Sequence, residues 1–193
     1  MMKLILSSCD FRNECSRQFI LDNLPKPIVE CRLLFVPNEK STPDKVKSGK
    51  YHTRMAEFGF TPALVRVLDY TDPAPCCGLD IDVLYISGGN TFHTLDRIRG
   101  CGFDREIIRY IQAGVTYIGG SAGAHIVCEN LKHVAQFDPV PEGMTDLRGL
   151  GLFDGYLICH FTHARQVYYT NLVHIHSHGV YTLTDDQSIL VQS

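Results

Sequence analysis

Ser121 lies in Gly119-Gly120-Ser121-Ala122-Gly123, which fits the pattern G-x-S-x-G. Val115-Thr116-Tyr117-Ile118 precedes it as a β-branched and aromatic run, and Ala122 to Cys128 follows as the start of a buried helix. A strand, a glycine-rich turn and a helix form the context of a nucleophile elbow. So tight a turn admits only small neighbours and holds the serine at a helix N-terminus, where free N–H groups can stabilise an anion. The plainer reading is a Gly-rich βα loop with a capping serine.

A serine nucleophile needs a base, an orienting acid and an oxyanion hole. In open parallel sheets such groups gather at the carboxyl ends of strands. Ser87-Gly88-Gly89-Asn90-Thr91 follows the apolar run Ile81 to Ser87 and should reach that edge. Its paired glycines let backbone approach a ligand closely. Gly89 N–H with Ala122 N–H would make the oxyanion hole, and Gly88, Asn90 and Thr91 would line the substrate's path. Asn90 or Thr91 also suits a helix N-cap.

Cys159-His160-Phe161-Thr162-His163 follows another apolar run, Tyr156 to Cys159. A histidine at a strand end can serve as general base, which singles out His160 among nine histidines. His125, four residues past the serine, reads as a pocket wall or a buried polar group. His174-Ile175-His176-Ser177-His178 is H-x-H-x-H. On a strand its imidazoles would share one face and could hold zinc; at a helix end they would fan apart.

Strands are expected at Lys3–Ser7, Val29–Val36, Leu64–Leu68, Ile81–Ser87 and Val115–Ile118. Helices are expected at Asp10–Asn23, Pro43–Gly59, Thr91–Ile98, Asp104–Ala113 and from Ala122 to about Leu131. The alternation, with strands apolar throughout, indicates an α/β fold with a mainly parallel sheet and helices on both faces. Beyond Gly149 the pattern shifts to short strands at Tyr156–Cys159, Val180–Leu183 and Ser188–Val191, with a helix near Arg165–Ile175.

The 193 residues suit one domain, 1–193. Hydrophobic residues at 45% and charged residues at 20% exclude a disordered chain. A net charge of −3 favours neither nucleic acid nor an anionic membrane. No apolar run reaches bilayer length, and Met1 to Leu6 is too short for a signal peptide. The expected location is cytoplasmic, and the eight cysteines, without C-x-x-C pairs, are expected to be reduced and mostly buried.

Three ordered segments carry a resemblance: Tyr85-Ile86-Ser87-Gly88-Gly89-Asn90-Thr91, then Gly119 to Ala124, then Leu150-Gly151-Leu152-Phe153 leading to Cys159-His160-Phe161-Thr162. From about Ile81 to Val191 the chain resembles the peptidase E family of serine peptidases, which includes α-aspartyl dipeptidases and, more distantly, cyanophycinases. The resemblance implies a class I glutamine-amidotransferase-like fold with serine where those enzymes carry cysteine. It implies Ser121 as nucleophile, His160 as base, and Gly89 with Ala122 as oxyanion donors. For the acid, Asp138 matches an aspartate after the elbow helix, while Asp185 best matches a glutamate in the last strand region. The resemblance favours Asp185, although aspartate is the shorter side chain; both also suit turn hydrogen bonds.

In the family's dipeptidases a longer stretch follows the histidine and bears on recognition of an N-terminal aspartate. Here it contracts to His163-Ala164-Arg165-Gln166-Val167-Tyr168-Tyr169, where Arg165 could pair with a substrate carboxylate. Family members usually continue further than Ser193, so a minimal or divergent form is expected. The leading expectation is a serine hydrolase for a small peptide, without metal or organic cofactor, and with a homodimer allowed. A non-catalytic small-molecule-binding module on the same fold and a His-rich metal hydrolase are the alternatives.

Overall fold

The computed structural model describes residues 1–176 and 179–193. In chain order the strands are β1 (Lys3–Ser7), β2 (Leu33–Val36), β3 (Val65–Val67), β4 (Val83–Ile86), β5 (Thr116–Gly120), β6 (Tyr156–Ile158), β7 (Val180–Thr182) and β8 (Ser188–Gln192). Six form one sheet in the order β3-β2-β4-β5-β1-β8. All its pairings are parallel except β1 with the edge strand β8. β6 and β7 form a separate parallel pair.

Side chains alternate across this sheet, as the two-residue period of a strand requires. Leu4, Leu34, Leu84 and Tyr117 point to one face, and Ile5, Phe35, Tyr85 and Ile118 to the other. Helices α4 (Thr91–Gly100), α5 (Asp104–Gln112) and α6 (Ala122–Ile126) cover the first face with Phe92, Leu95, Ile107, Ile111 and Ala124. Helices α1 (Glu14–Asp22) and α3 (Lys50–Phe58) cover the second with Ile20, Tyr51 and Met55, joined by Phe11. Burial on both faces is why the strands read as continuous apolar runs.

Local chemistry trims several expected elements. The helix expected over Asp10–Asn23 is a 3-10 turn at Asp10–Arg12 followed by α1, because Asn13 is extended and caps Cys15 and Ser16 N–H. The helix expected over Pro43–Gly59 divides into α2 (Pro43–Lys47) and α3, since Gly49 takes φ +75°. A 3-10 turn at Ile28–Glu30 shortens the strand expected from Val29.

The elbow helix stops at Ile126, not near Leu131. The carbonyls of Ile126 and Val127 instead accept from Leu150 N–H and Leu152 N–H, both at 2.8 Å. That tertiary pairing outcompetes helical propensity and draws the approach to β6 against the elbow. The remaining helix is α7 (Gln166–Ile175). No helix among the described residues is long and apolar enough to cross a membrane. Of eight free cysteines, four are buried, two half-buried and two exposed, fewer buried than expected.

Candidate active site

The parallel topology brings the ends of β1, β4 and β5 to one edge, with the end of β6 beside them. At the end of β5, Ser121 has φ +48° and ψ −103°, a conformation a side-chain-bearing residue adopts only under tertiary constraint. Close packing accounts for the flanking glycines. A Cβ on Gly120 would fall 2.1 Å from the Asp10 carboxylate, and one on Gly123 would fall 2.2 Å from the Ile86 carbonyl oxygen. Ser121 N–H is tied to the Ser7 carbonyl at 2.8 Å, docking the turn on β1.

Ser121 Oγ lies 2.8 Å from His160 Nε2, and His160 Nδ1 lies 2.6 Å from Asp185 Oδ1. With an ionised carboxylate the tautomer follows: Nδ1–H donates to Asp185, leaving the Nε2 lone pair to accept from Ser121 O–H. His160 has φ +53°. Its backbone N–H donates to Ser8 Oγ at 2.8 Å, and Ser8 Oγ–H donates to Asp185 Oδ1 at 3.2 Å. Ser8 therefore fixes His160 and Asp185 together. Hydrogen bonding from His160, aided by Cys9 and Ser8 and opposed by partial burial, holds the Asp185 carboxyl below its ordinary range. The shorter aspartate reaches the imidazole without difficulty.

Gly89 lies just beyond β4, and Ala122 opens α6. Neither backbone N–H has a protein acceptor among the described residues. The Gly88 carbonyl accepts from Asn38 Nδ2 at 2.9 Å, which fixes the loop. These are the parts that acyl transfer requires: a serine hydroxyl on an imidazole, a carboxylate on the same imidazole, and, next to the serine in Ala122, an N–H without a protein acceptor.

Asp138 is placed elsewhere. Its Oδ2 accepts from Thr91 N–H at 2.7 Å, a helix-end contact rather than one to His160. Asn90 caps α4 through His93 N–H at 2.8 Å and donates to the Pro139 carbonyl at 2.9 Å. Thr91 and His125 are both buried. His125 Nδ1 lies 3.2 Å from Thr91 Oγ1, and its Nε2 accepts from Cys159 N–H at 3.4 Å. Burial, aided by the neighbouring His133, His160 and Arg165, lowers its pKa to about 3. His125 is thus a neutral strut joining the elbow helix to the strand end that carries His160. Arg165 donates to the Cys159 carbonyl and stacks on Phe137 at 4.2 Å, so it braces the backbone just before His160.

The H-x-H-x-H reading also changes. His174 is in α7 and His176 follows it, stacked on Tyr156 at 4.1 Å, so no shared strand face forms. His178 lies outside the described residues.

Sequence reasoning missed Ser8, Cys9, Asp10 and Arg12, which follow β1. Buried Asp10, at φ +51°, accepts from Tyr85 O–H at 2.9 Å and from Arg12 Nε at 3.0 Å. A Cβ built on Gly88 would meet Arg12 Nη2 at 3.1 Å and Ser121 Cβ at 3.3 Å. A half-exposed guanidinium therefore flanks the same glycine as Ser121. The available signal was an S-S-C-D-x-R string closing the first strand, at the edge where ligands bind. A cavity of about 370 Å³ between β6 and α7, lined by His133, Tyr156 and Tyr168 among others, includes none of Ser121, His160 and Asp185.

A family model described as peptidase family S51 matches residues 4–193. An uncharacterised peptidase of Pasteurella multocida is 39% identical over 83 residues, which is 42% of this chain and 40% of that protein. Peptidase E of Citrobacter koseri is 36% identical over 86 residues, 44% of this chain and 36% of that protein. The matched segments thus span about two fifths of the curated relatives' length. The crystal structure of a candidate peptidase E protein from Listeria monocytogenes is 23% identical, with a TM-score of 0.74 over 99% of this chain and 94% of that one. That likeness shows a common mostly parallel α/β fold.

Proposed function

The chain belongs to peptidase family S51, and from that premise we propose a serine peptidase acting on short peptides, dipeptides with an N-terminal aspartate among them. The observation that carries the reading is the continuous contact from Ser121 Oγ through His160 to Asp185, at 2.8 and 2.6 Å.

Ser121 Oγ attacks the scissile carbonyl carbon as His160 Nε2 takes the hydroxyl proton. Asp185 holds the Nδ1–H tautomer and stabilises the resulting imidazolium. The carbonyl oxygen becomes an oxyanion received by the Gly89 and Ala122 N–H groups. On collapse, His160 returns the proton to the leaving amine and the acyl group stays on Ser121. Water then attacks the ester with His160 again as base, releasing the acid and restoring the serine. A strained serine held by its backbone enters this cycle with little reorganisation left to make.

Arg12 takes the recognition role that the sequence pointed to in Arg165. Its guanidinium is held by Asp10 and flanks Gly88 beside Ser121, placed to pair with a substrate carboxylate near the scissile bond. Arg165 is already spent on Cys159 and Phe137.

The test is hydrolysis of a dipeptide panel with acidic, neutral and basic N-terminal residues by wild type, Ser121→Ala and Arg12→Gln. Turnover should vanish in Ser121→Ala. Arg12→Gln should lower kcat/KM for Asp-X about 10- to 100-fold, matching one lost charge-assisted contact, and leave neutral dipeptides nearly unchanged. Full activity in folded Ser121→Ala would refute the peptidase assignment. An equal loss on all peptides in Arg12→Gln would refute its role as a charge reader.

A further inference from the structure

Cys9 stands beside the proposed triad without a part in its chemistry. Its Sγ, one ring nitrogen of His160 and one carboxylate oxygen of Asp185 all lie within 4.8 Å of one another. Thiolate, imidazole and carboxylate are the donor set that borderline metal ions such as Zn²⁺ select. Ser8 Oγ, 3.2 Å from Asp185 Oδ1 and 3.4 Å from His160 Nδ1, is a further polar atom beside two of them. The groups open to solvent: Cys9 and His160 are half-buried and Asp185 is exposed. An ion can therefore reach them without the fold opening.

We propose that Cys9, His160 and Asp185 form an inhibitory site for a divalent transition-metal ion, Zn²⁺ first, that switches the hydrolase off reversibly. Inhibition as such rests on the peptidase reading, whereas the metal binding does not. Nε2 already faces Ser121, so the ion takes Nδ1. In the resting site Nδ1 carries the proton and Nε2 the lone pair. When the ion takes the Nδ1 lone pair, the ring proton moves through solvent to Nε2. The Cys9 thiol proton passes to buffer as the thiolate binds, and Asp185 exchanges its Nδ1–H contact for the ion. Nothing is oxidised or reduced. The ring then presents N–H to Ser121 Oγ and has no lone pair to accept the serine's proton, so general-base catalysis stops.

Cys9 is the one member of the three outside the triad, which makes Cys9→Ser the discriminating variant. It keeps a hydroxyl to hydrogen-bond Asp185 and removes the soft ligand. The experiment titrates tag-free full chain with CoCl₂, following the thiolate-to-cobalt charge-transfer band. In parallel, ZnCl₂ is titrated into a dipeptide assay and the inhibition reversed with EDTA. Cys15 and Cys77 are also exposed, but they remain in the variant, so the difference spectrum reports Cys9 alone.

Wild type should show the band and EDTA-reversible inhibition. Cys9→Ser should lose the band and need at least about tenfold more Zn²⁺ for half-inhibition, since even outer-shell ligand changes weaken metal binding 10- to 100-fold. Asp185→Asn should also weaken cobalt binding, which covers the case of a Cys9 variant that does not fold. Equal cobalt spectra in wild type and Cys9→Ser, or equal Zn²⁺ sensitivity, would overturn the proposal. If no peptide is turned over at all, the peptidase reading fails and the cobalt spectra still decide the site.

Discussion

Replacing Asp185 by asparagine should separate the two acids that the sequence left in competition. Asp185 Oδ1 is 2.6 Å from His160 Nδ1, while Asp138 contacts Thr91 N–H. Two unit charges 4 Å apart interact by about 1 kcal/mol in water and about 4 kcal/mol at an effective dielectric near 20. The Asp185 side chain is 63% exposed, so its support of the imidazolium falls toward the lower figure, about 1–2 kcal/mol. Asparagine also offers an N–H to Nδ1, which favours the tautomer with the proton on Nε2. In serine proteases with a buried acid that change costs about 10⁴ in kcat. With the weaker electrostatic share of an exposed acid, Asp185→Asn should lower kcat by about 10²–10³ with KM little changed. Asp138→Ala should instead cost about 1 kcal/mol of stability from the lost helix-end contact, with kcat close to wild type. Steady-state kinetics on one dipeptide and a thermal melt of each variant suffice. A folded Asp185→Asn at full kcat, or a hundredfold loss in Asp138→Ala, would refute the assignment.

Gly123→Ala should be destabilised by at least about 2–3 kcal/mol, because its Cβ would fall 2.2 Å from the Ile86 carbonyl oxygen; a wild-type urea midpoint would contradict that packing. His125, held at about 3 against an ordinary 6.5, makes the unfolded chain the better proton binder between those values. Its stabilising contribution is therefore complete above about pH 6.5 and is lost as pH falls toward 3, by at most about 5 kcal/mol. Urea unfolding at pH 7 and pH 4 should show a shallower pH dependence for His125→Asn than for wild type, and equal slopes would refute the buried-neutral assignment. Arg165→Ala should lower kcat for acidic and neutral dipeptides alike, since it braces the backbone before His160; a loss confined to acidic peptides would return the recognition role to Arg165.

The frame of the fold and the surroundings of Ser121 were legible because they rest on short-range signals. Apolar strand runs, the glycines around Ser121 and a histidine ending an apolar strand are each written within a few residues. What escaped depends on contacts distant in sequence. Whether Asp138 or Asp185 meets His160 is decided by Ser8, 152 residues away from His160, which binds His160 N–H and Asp185 together. The early end of α6 is set by pairing with residues near Gly149, which no helical propensity records. Arg12 and Arg165 are equally plausible cations as letters. Only the close approach of Gly88 on one side, and the Cys159 carbonyl with Phe137 on the other, distinguishes them.

The most direct test of the account is to trap the acyl-enzyme. Wild type, His160→Ala and Ser121→Ala would be treated with a slowly hydrolysed activated ester, followed by intact mass measurement and peptide mapping. The account predicts one acyl adduct on Ser121 in wild type, formed far more slowly in His160→Ala and absent in Ser121→Ala. An adduct on another residue, or equal labelling of all three proteins, would contradict it.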